Sequence, residues 1–150
     1  MSRRVNPSPA DVPSLGDLSG ALGYALRRAQ LQVFADFSIT LRPIDLRPAQ
    51  YGVLVVVGAN PGVNQSAVCL LLGFKQANLV ALINLLVKRG LAERRRSAQD
   101  ARSSALFLTA AGQQLLKRAH QLQQQHERRM VKRLGDDGRG QLLQLLGTLA

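Results

Sequence analysis

Residues Leu72–Thr109 read LGFKQANLVALINLLVKRGLAERRRSAQDARSSALFLT, and the order of elements in that stretch decides the fold. Gly73 is followed by an amphipathic run from about Lys75 to Arg89, which Gly90 terminates. Then come LAERR and SALFL, two short β-prone runs around the loop SAQDARS, which predict a hairpin loaded with arginine. Just upstream, Asn64 is placed to cap a short helix, QSAVCLLLG, that Gly73 closes. Two short helices joined by a tight glycine turn are the skeleton of a helix-turn-helix.

Outward from this core, Pro48 suits the first turn of a helix running to about Ala59, nearly all apolar and expected to be buried. Asn60-Pro61-Gly62 is a turn signal. Before it, Leu15, Leu18, Leu22, Leu26, Ala29, Val33 and Phe37 recur at three- and four-residue steps, predicting one long amphipathic helix from Leu15. The prolines of LRPIDLRPAQ end it. Downstream, Thr109 is placed to cap a long helix toward Leu134. Asp136 or Asp137 restarts a final helix striped by Leu142, Leu143, Leu145, Leu146 and Leu149. The expected fold is mainly α with a small β-hairpin: a winged helix-turn-helix domain (46–109) flanked by an N-terminal dimerisation helix and linker (15–45) and C-terminal dimerisation helices (110–150). A proline-rich arm (1–14) precedes them.

Twenty Lys and Arg against nine Asp and Glu give a net charge of +11 over 150 residues. That excess favours a polyanion partner, because basic side chains release the counterions condensed on DNA. The single Cys69 excludes an intramolecular disulfide and suits a reducing cytoplasm. No uninterrupted apolar run approaches the ~20 residues of a membrane helix, so no membrane partner is expected.

A helix-turn-helix presents the start of its second helix to base edges in the major groove. Here those positions are Lys75, Gln76, Ala77, Asn78 and, one turn on, Ala81, with Leu79, Leu82, Ile83 and Leu86 on the opposite face. Gln76 and Asn78 can donate and accept toward adenine, Ala77 or Ala81 can lie against a thymine methyl, and Lys75 suits a phosphate. In the hairpin, Arg94 and Arg96 share one strand face while Arg95 points away. A loop-tip arginine can enter the minor groove. Asp100, two residues before Arg102, can hold that guanidinium and brace the loop.

With LRPAQYGVL, NPGVNQSAVCLLLG, KRGLAERR, the D-A-R loop and the LT-x-x-G close in LFLTAAG, the chain resembles the MarR family of bacterial transcription regulators over roughly Leu46 to Gly112. The resemblance implies an obligate two-fold dimer with intertwined terminal helices. It also implies a winged helix-turn-helix on each subunit, and repression of a palindromic operator relieved by a small molecule. Lys75 and Ala81 depart from residue types frequent at those places in the family, which leaves the operator sequence open. The terminal apolar stripes argue for a homodimer independently, since long leucine-rich faces at both ends need something to bury them.

An effector site is expected between the first helix, the Pro48 helix and the long C-terminal helix. Its candidates are Tyr24, Arg27, Arg28, Leu31, Phe34, Gln50, Tyr51 and Leu54. Aromatic rings beside arginine suit a small aromatic acid or an aromatic acyl-CoA. No catalytic residue, metal or cofactor is expected. His120 and His126 are six residues apart rather than four, and there is no nucleophile elbow or phosphate-binding glycine loop. Cys69 reads as a buried small hydrophobe, and Arg128, Arg129, Lys132 and Arg133 as a solvated helix face in preference to a contact with DNA flanks or an anionic ligand. The alternative to a ligand-responsive, sequence-specific regulator is a ligand-independent, basic architectural DNA-binding protein.

Overall fold

The computed structural model describes residues 13–96, 104–135 and 137–149. Asp100, Arg102 and most of the N-terminal arm lie outside them. Two compact units are distinguished, residues 1–33 and 34–150. In the first, a 3-10 turn (Gly16–Gly20) precedes helix α1 (Leu22–Leu41), whose later turns belong to the second. The expected helix from Leu15 is therefore interrupted. Gly16 takes φ +53° and Ala21 is extended, so the i to i+4 ladder cannot pass between them.

In the second unit, α2 (Pro48–Ala59) begins with Pro48, and the Gln50 amide oxygen accepts the Arg47 N–H at 2.9 Å, closing the first turn. Strand β1 (Val63–Asn64) leads into α3 (Gln65–Leu72), where Asn64 Oδ1 accepts the Ala67 N–H at 2.8 Å. Gly73, at φ +63°, stops α3 in the left-handed region. The Cys69 thiol is half-buried and donates to the Phe74 carbonyl, so it ties down the turn as well as filling space. Helix α4 (Gln76–Lys88) follows, bent 115° from α3, within the range of helix-turn-helix pairs.

Strands β2 (Ala92–Arg96) and β3 (Ser104–Leu108) form the hairpin, with Ala92 opposite Leu108 and Arg96 opposite Ser104. The antiparallel sheet has the order β1-β3-β2, so β3 is central. β1 is absent from the sequence reading because two residues carry no periodic signal, and their partners Leu106 and Ala105 are some forty positions away. Helix α5 (Ala110–Leu134) starts at Thr109, whose Oγ1 accepts the Gly112 N–H at 3.0 Å and donates to the Gly90 carbonyl at 2.6 Å. Helix α6 (Gly138–Gly147) completes the order.

One apolar core unites Leu41, Val53, Leu54, Val57, Val68, Leu79, Ile83, Leu86, Leu106 and Ala119. Every element from the end of α1 through α5 thus contributes to the platform on which α4 and the hairpin stand. Leu142, Leu143, Leu145 and Leu149 are left exposed. No single helix among the described residues is long and apolar enough to cross a membrane.

Candidate nucleic-acid interface

Helix α4 divides cleanly into two faces. Leu79, Ile83 and Leu86, spaced four and three apart, are at most 1% exposed. Lys75, Gln76, Ala77, Asn78 and Ala81 are all exposed. Lys75 occupies the N-cap position without a side-chain cap, and the Asn78 N–H donates to its carbonyl at 3.0 Å, which leaves the Gln76 and Ala77 N–H groups for an anionic partner. The polar start of α4 faces solvent because burying its opposite side secures the helix.

The wing arginines have different surroundings. Arg95 stacks its guanidinium over the Phe107 ring, 4.5 Å from the centroid, and its Nε donates to Glu93 Oε1 at 2.9 Å. This follows from the register, which sets Glu93 opposite Phe107 and Arg95 opposite Ala105 on one sheet face. Arg94, on the other face, donates to Asn84 Oδ1 at 2.8 Å. Arg96 is exposed at the end of β2. The sequence reading missed Asn84, although it lies three residues after Ala81 on the same helix face. Its contact with Arg94 required the packed arrangement of α4 against β2.

The eight effector candidates are divided between the two units. Within the first unit Arg28 lies over the Tyr24 ring, 6.0 Å from its centroid, while Arg27, Arg28 and Leu31 are exposed. Within the second unit Phe34 is exposed, and Gln50 and Leu54 are packed in the interior, Gln50 with its amide engaged at the α2 N-terminus. Tyr51 is half-buried, its hydroxyl 3.1 Å from His120 Nδ1. Burial pushes the Tyr51 phenol above its ordinary value, and the Glu127 carboxylate adds to the rise, so the hydroxyl keeps its proton at neutral pH.

Tyr51 belongs to a larger array that joins the last turns of α1 to α2 and α5. Phe37 packs edge-on against Tyr51 (5.4 Å) and tilted against His126 (4.9 Å). Buried His126 places Nδ1 2.6 Å from Asp36 Oδ2, and Arg129 donates to the same oxygen at 2.7 Å and also to Thr40. Arg129 stays on an exposed helix face, as the sequence suggests, but its guanidinium is engaged there by Asp36 and Thr40. Phe37, Asp36, His120 and His126 were invisible as a site because two helices far apart in the chain, α1 and α5, supply them. A recess of about 340 Å³, lined by Phe107, Leu108, Leu116, Lys117 and His120 among others, adjoins the array at His120. A second, of about 410 Å³, is lined by Ser38, Arg42, Asp45, Leu46, Arg47 and Pro48.

The Arg129 guanidinium, with His126 beside it, holds the Asp36 carboxyl below its ordinary value of 3.8. A depressed folded-state pKa contributes stability that is fully present above the unfolded value and is lost as pH falls through the folded one. Asp36→Asn should therefore lower the melting temperature at neutral pH, with the gap narrowing below about pH 4. Melting curves of both proteins across that range check this. An equal gap at pH 3 and pH 7 would show that the carboxylate's charge contributes nothing.

Comparison with known proteins places this geometry. Residues 44–103 match the MarR family, a span that takes in α2 through β2 and ends just before β3. A proposed transcriptional regulatory protein for the hcr operon of Thauera aromatica is 34% identical over 149 residues, covering 97% of this chain and 90% of that protein. The transcriptional repressor CouR bound to a 23-mer DNA duplex is 45% identical, with a TM-score of 0.86 over 93% of this chain and 99% of that one. CouR bound to p-coumaroyl-CoA is likewise 45% identical, with a TM-score of 0.85 over 91% of this chain and 96% of that one. The exposed polar start of α4, the arginine-bearing hairpin and this agreement along nearly the whole chain lead to one assignment: the protein belongs to the MarR family, with its winged helix-turn-helix fold.

Proposed function

We propose that this chain is a sequence-specific, ligand-responsive DNA-binding transcription regulator, acting in the cytoplasm as a homodimeric repressor and without catalysis of its own. The observation that carries the reading is the two-sided α4, whose Lys75, Gln76, Ala77, Asn78 and Ala81 are exposed beside the wing while its leucines hold the core. An α-helix in the major groove and a basic ribbon in the adjacent minor groove is the docking mode such an arrangement serves. A two-fold dimer sets two copies of α4 about one DNA turn, ~34 Å, apart, which calls for a palindromic operator.

The effector is an aromatic acid or its acyl-CoA ester. Support comes from CouR, which binds p-coumaroyl-CoA, and from the array of Phe37, Tyr51, His120 and His126 with Arg129 at its edge. Rings offer stacking surface, and a guanidinium offers charge to a carboxylate or phosphate. To release DNA the ligand must bind better to the dimer whose α4 spacing misfits the groove. A coupling of ~1–3 kcal/mol would give 5–150-fold regulation.

Selection of bound duplexes from a random pool, repeated with a panel of aromatic acids and their CoA esters, tests both halves. Wild type should prefer its selected palindrome over random DNA by ~10³-fold or more at one salt concentration. Gln76→Ala or Asn78→Ala should relax sequence preference, whereas Arg96→Ala should weaken every duplex and flatten the salt dependence. Binding with no sequence preference and no response to any ligand would replace this reading with that of an architectural DNA-binding protein.

A further inference from the structure

At the joint between α4 and the wing, Arg94 donates to Asn84 Oδ1 at 2.8 Å, and both side chains are exposed. An asparagine amide has one acceptor oxygen and one NH₂ group. With Oδ1 turned to Arg94, the two Nδ2 hydrogens of Asn84 are directed away from that contact. Arg94, having spent one of its five N–H donors, keeps four. The pair thus offers an outside partner donors and a full positive charge. The neighbouring carboxylate, Glu93, points to the other sheet face and is engaged by Arg95.

The position of the pair selects its partner. If α4 occupies a major groove and the β2–β3 hairpin the next minor groove, one sugar-phosphate strand must run between them. The Asn84–Arg94 contact is what bridges those two elements. A phosphate diester presents only acceptor oxygens and a negative charge, complementary to the donors of this pair. We infer that Asn84 and Arg94 together form a phosphate-binding site for the DNA strand separating the two grooves. The inference rests on the DNA-reading role given above to α4 and the wing. In this site Arg94 supplies the charge, and Asn84 both orients Arg94 and adds its own N–H donor. The result would fix how deeply α4 and the wing sit in their respective grooves.

The test uses the full-length protein, a duplex selected by wild type, and the variants Asn84→Ala, Asn84→Asp, Arg94→Ala and the double alanine change. Both sites are exposed, so thermal melting should be little altered. Arg94→Ala and Asn84→Ala should each weaken binding about 5- to 10-fold, and Arg94→Ala should reduce the slope of log affinity against log salt by about 0.9. Asn84→Asp keeps an acceptor for Arg94 but removes the donor, and should lose at least as much as alanine. Recovery of wild-type affinity in Asn84→Asp would reduce Asn84 to a brace and overturn its part in the site. Single methylphosphonate substitutions along the duplex then locate the contact. One neutralised phosphate per half-site should weaken wild type by a similar factor and leave the double variant unaffected. Equal losses for both proteins at every phosphate, or a loss confined to duplexes with guanine at one position, would overturn the proposal. Should wild type bind DNA without sequence preference, the regulator reading fails, while the salt slope of Arg94→Ala on any duplex still decides the phosphate site.

Discussion

Replacing Gly112 by alanine is expected to destabilise the protein by about 3 kcal/mol, because no other described glycine leaves so little room for a Cβ. A Cβ built there would sit 1.9 Å from the Leu91 carbonyl oxygen and 2.9 Å from its carbon. Backbone cannot rotate aside as a side chain can. The only relief is to lift the start of α5 away from the α4–β2 connection. That movement would break three contacts at once: Thr109 N–H to Leu91 O at 3.1 Å, Thr109 Oγ1 to Gly90 O at 2.6 Å, and the Gly112 N–H cap to Thr109 at 3.0 Å. A fall in melting temperature of roughly 6–12 °C follows for a chain of this size. Gly140→Ala provides the contrast. It lies in α6 with nothing within 4 Å of its would-be Cβ, and alanine there should be neutral or stabilising by up to ~1 kcal/mol. Similar melting temperatures for the two variants would mean that α5 does not seat on the Leu91 carbonyl. The same contact gives a physical reason for the glycine in LTAAG: no other residue allows a helix to start that close to a backbone oxygen.

Leu145→Glu should convert the protein from dimer to monomer at micromolar concentration and lower operator affinity by ~10²- to 10⁴-fold. Leu142 and Leu145 share a face of α6, and with Leu143 and Leu149 they are 40–64% exposed in the single chain. Leu22, Leu31, Phe34 and Ile39 on α1 are similarly exposed, at 51–63%. Burying one such side chain is worth roughly 1.5–3 kcal/mol, so a second copy covering these faces gains far more than one ion pair could provide. A glutamate in that contact would have to lose its water without a partner. The affinity loss follows because a monomer engages one half-site and forfeits the second, already tethered, binding event. Size measurement by light scattering and a titration of the selected duplex read the two effects separately. A dimer that persists, or a monomer with undiminished affinity, would remove the two-fold axis from the mechanism.

Much of this was legible in the chain because the deciding signals are local. Asn64 and Thr109 bracket the winged module as caps, and Gly73 and Gly90 end α3 and α4 at φ +63° and +68°. Capping and left-handed turns involve neighbours a few residues apart, which a linear reading can reach. The exposed and buried faces of α4 follow from its 3.6-residue period for the same reason.

Tertiary structure decided what separate segments do to one another. It added β1, whose two residues are defined only by their partners on β3. It distinguished three arginines that look alike in sequence, sending Arg94 to Asn84 and laying Arg95 on Phe107. It packed Gln50 and Leu54 into the interior, and brought Asp36, His126 and Arg129 together across ninety residues. Hydrogen bonds and ring contacts act over a few ångströms in space and are indifferent to separation along the chain. The helices were therefore written in the sequence, while the partners of their side chains were settled only when those helices packed.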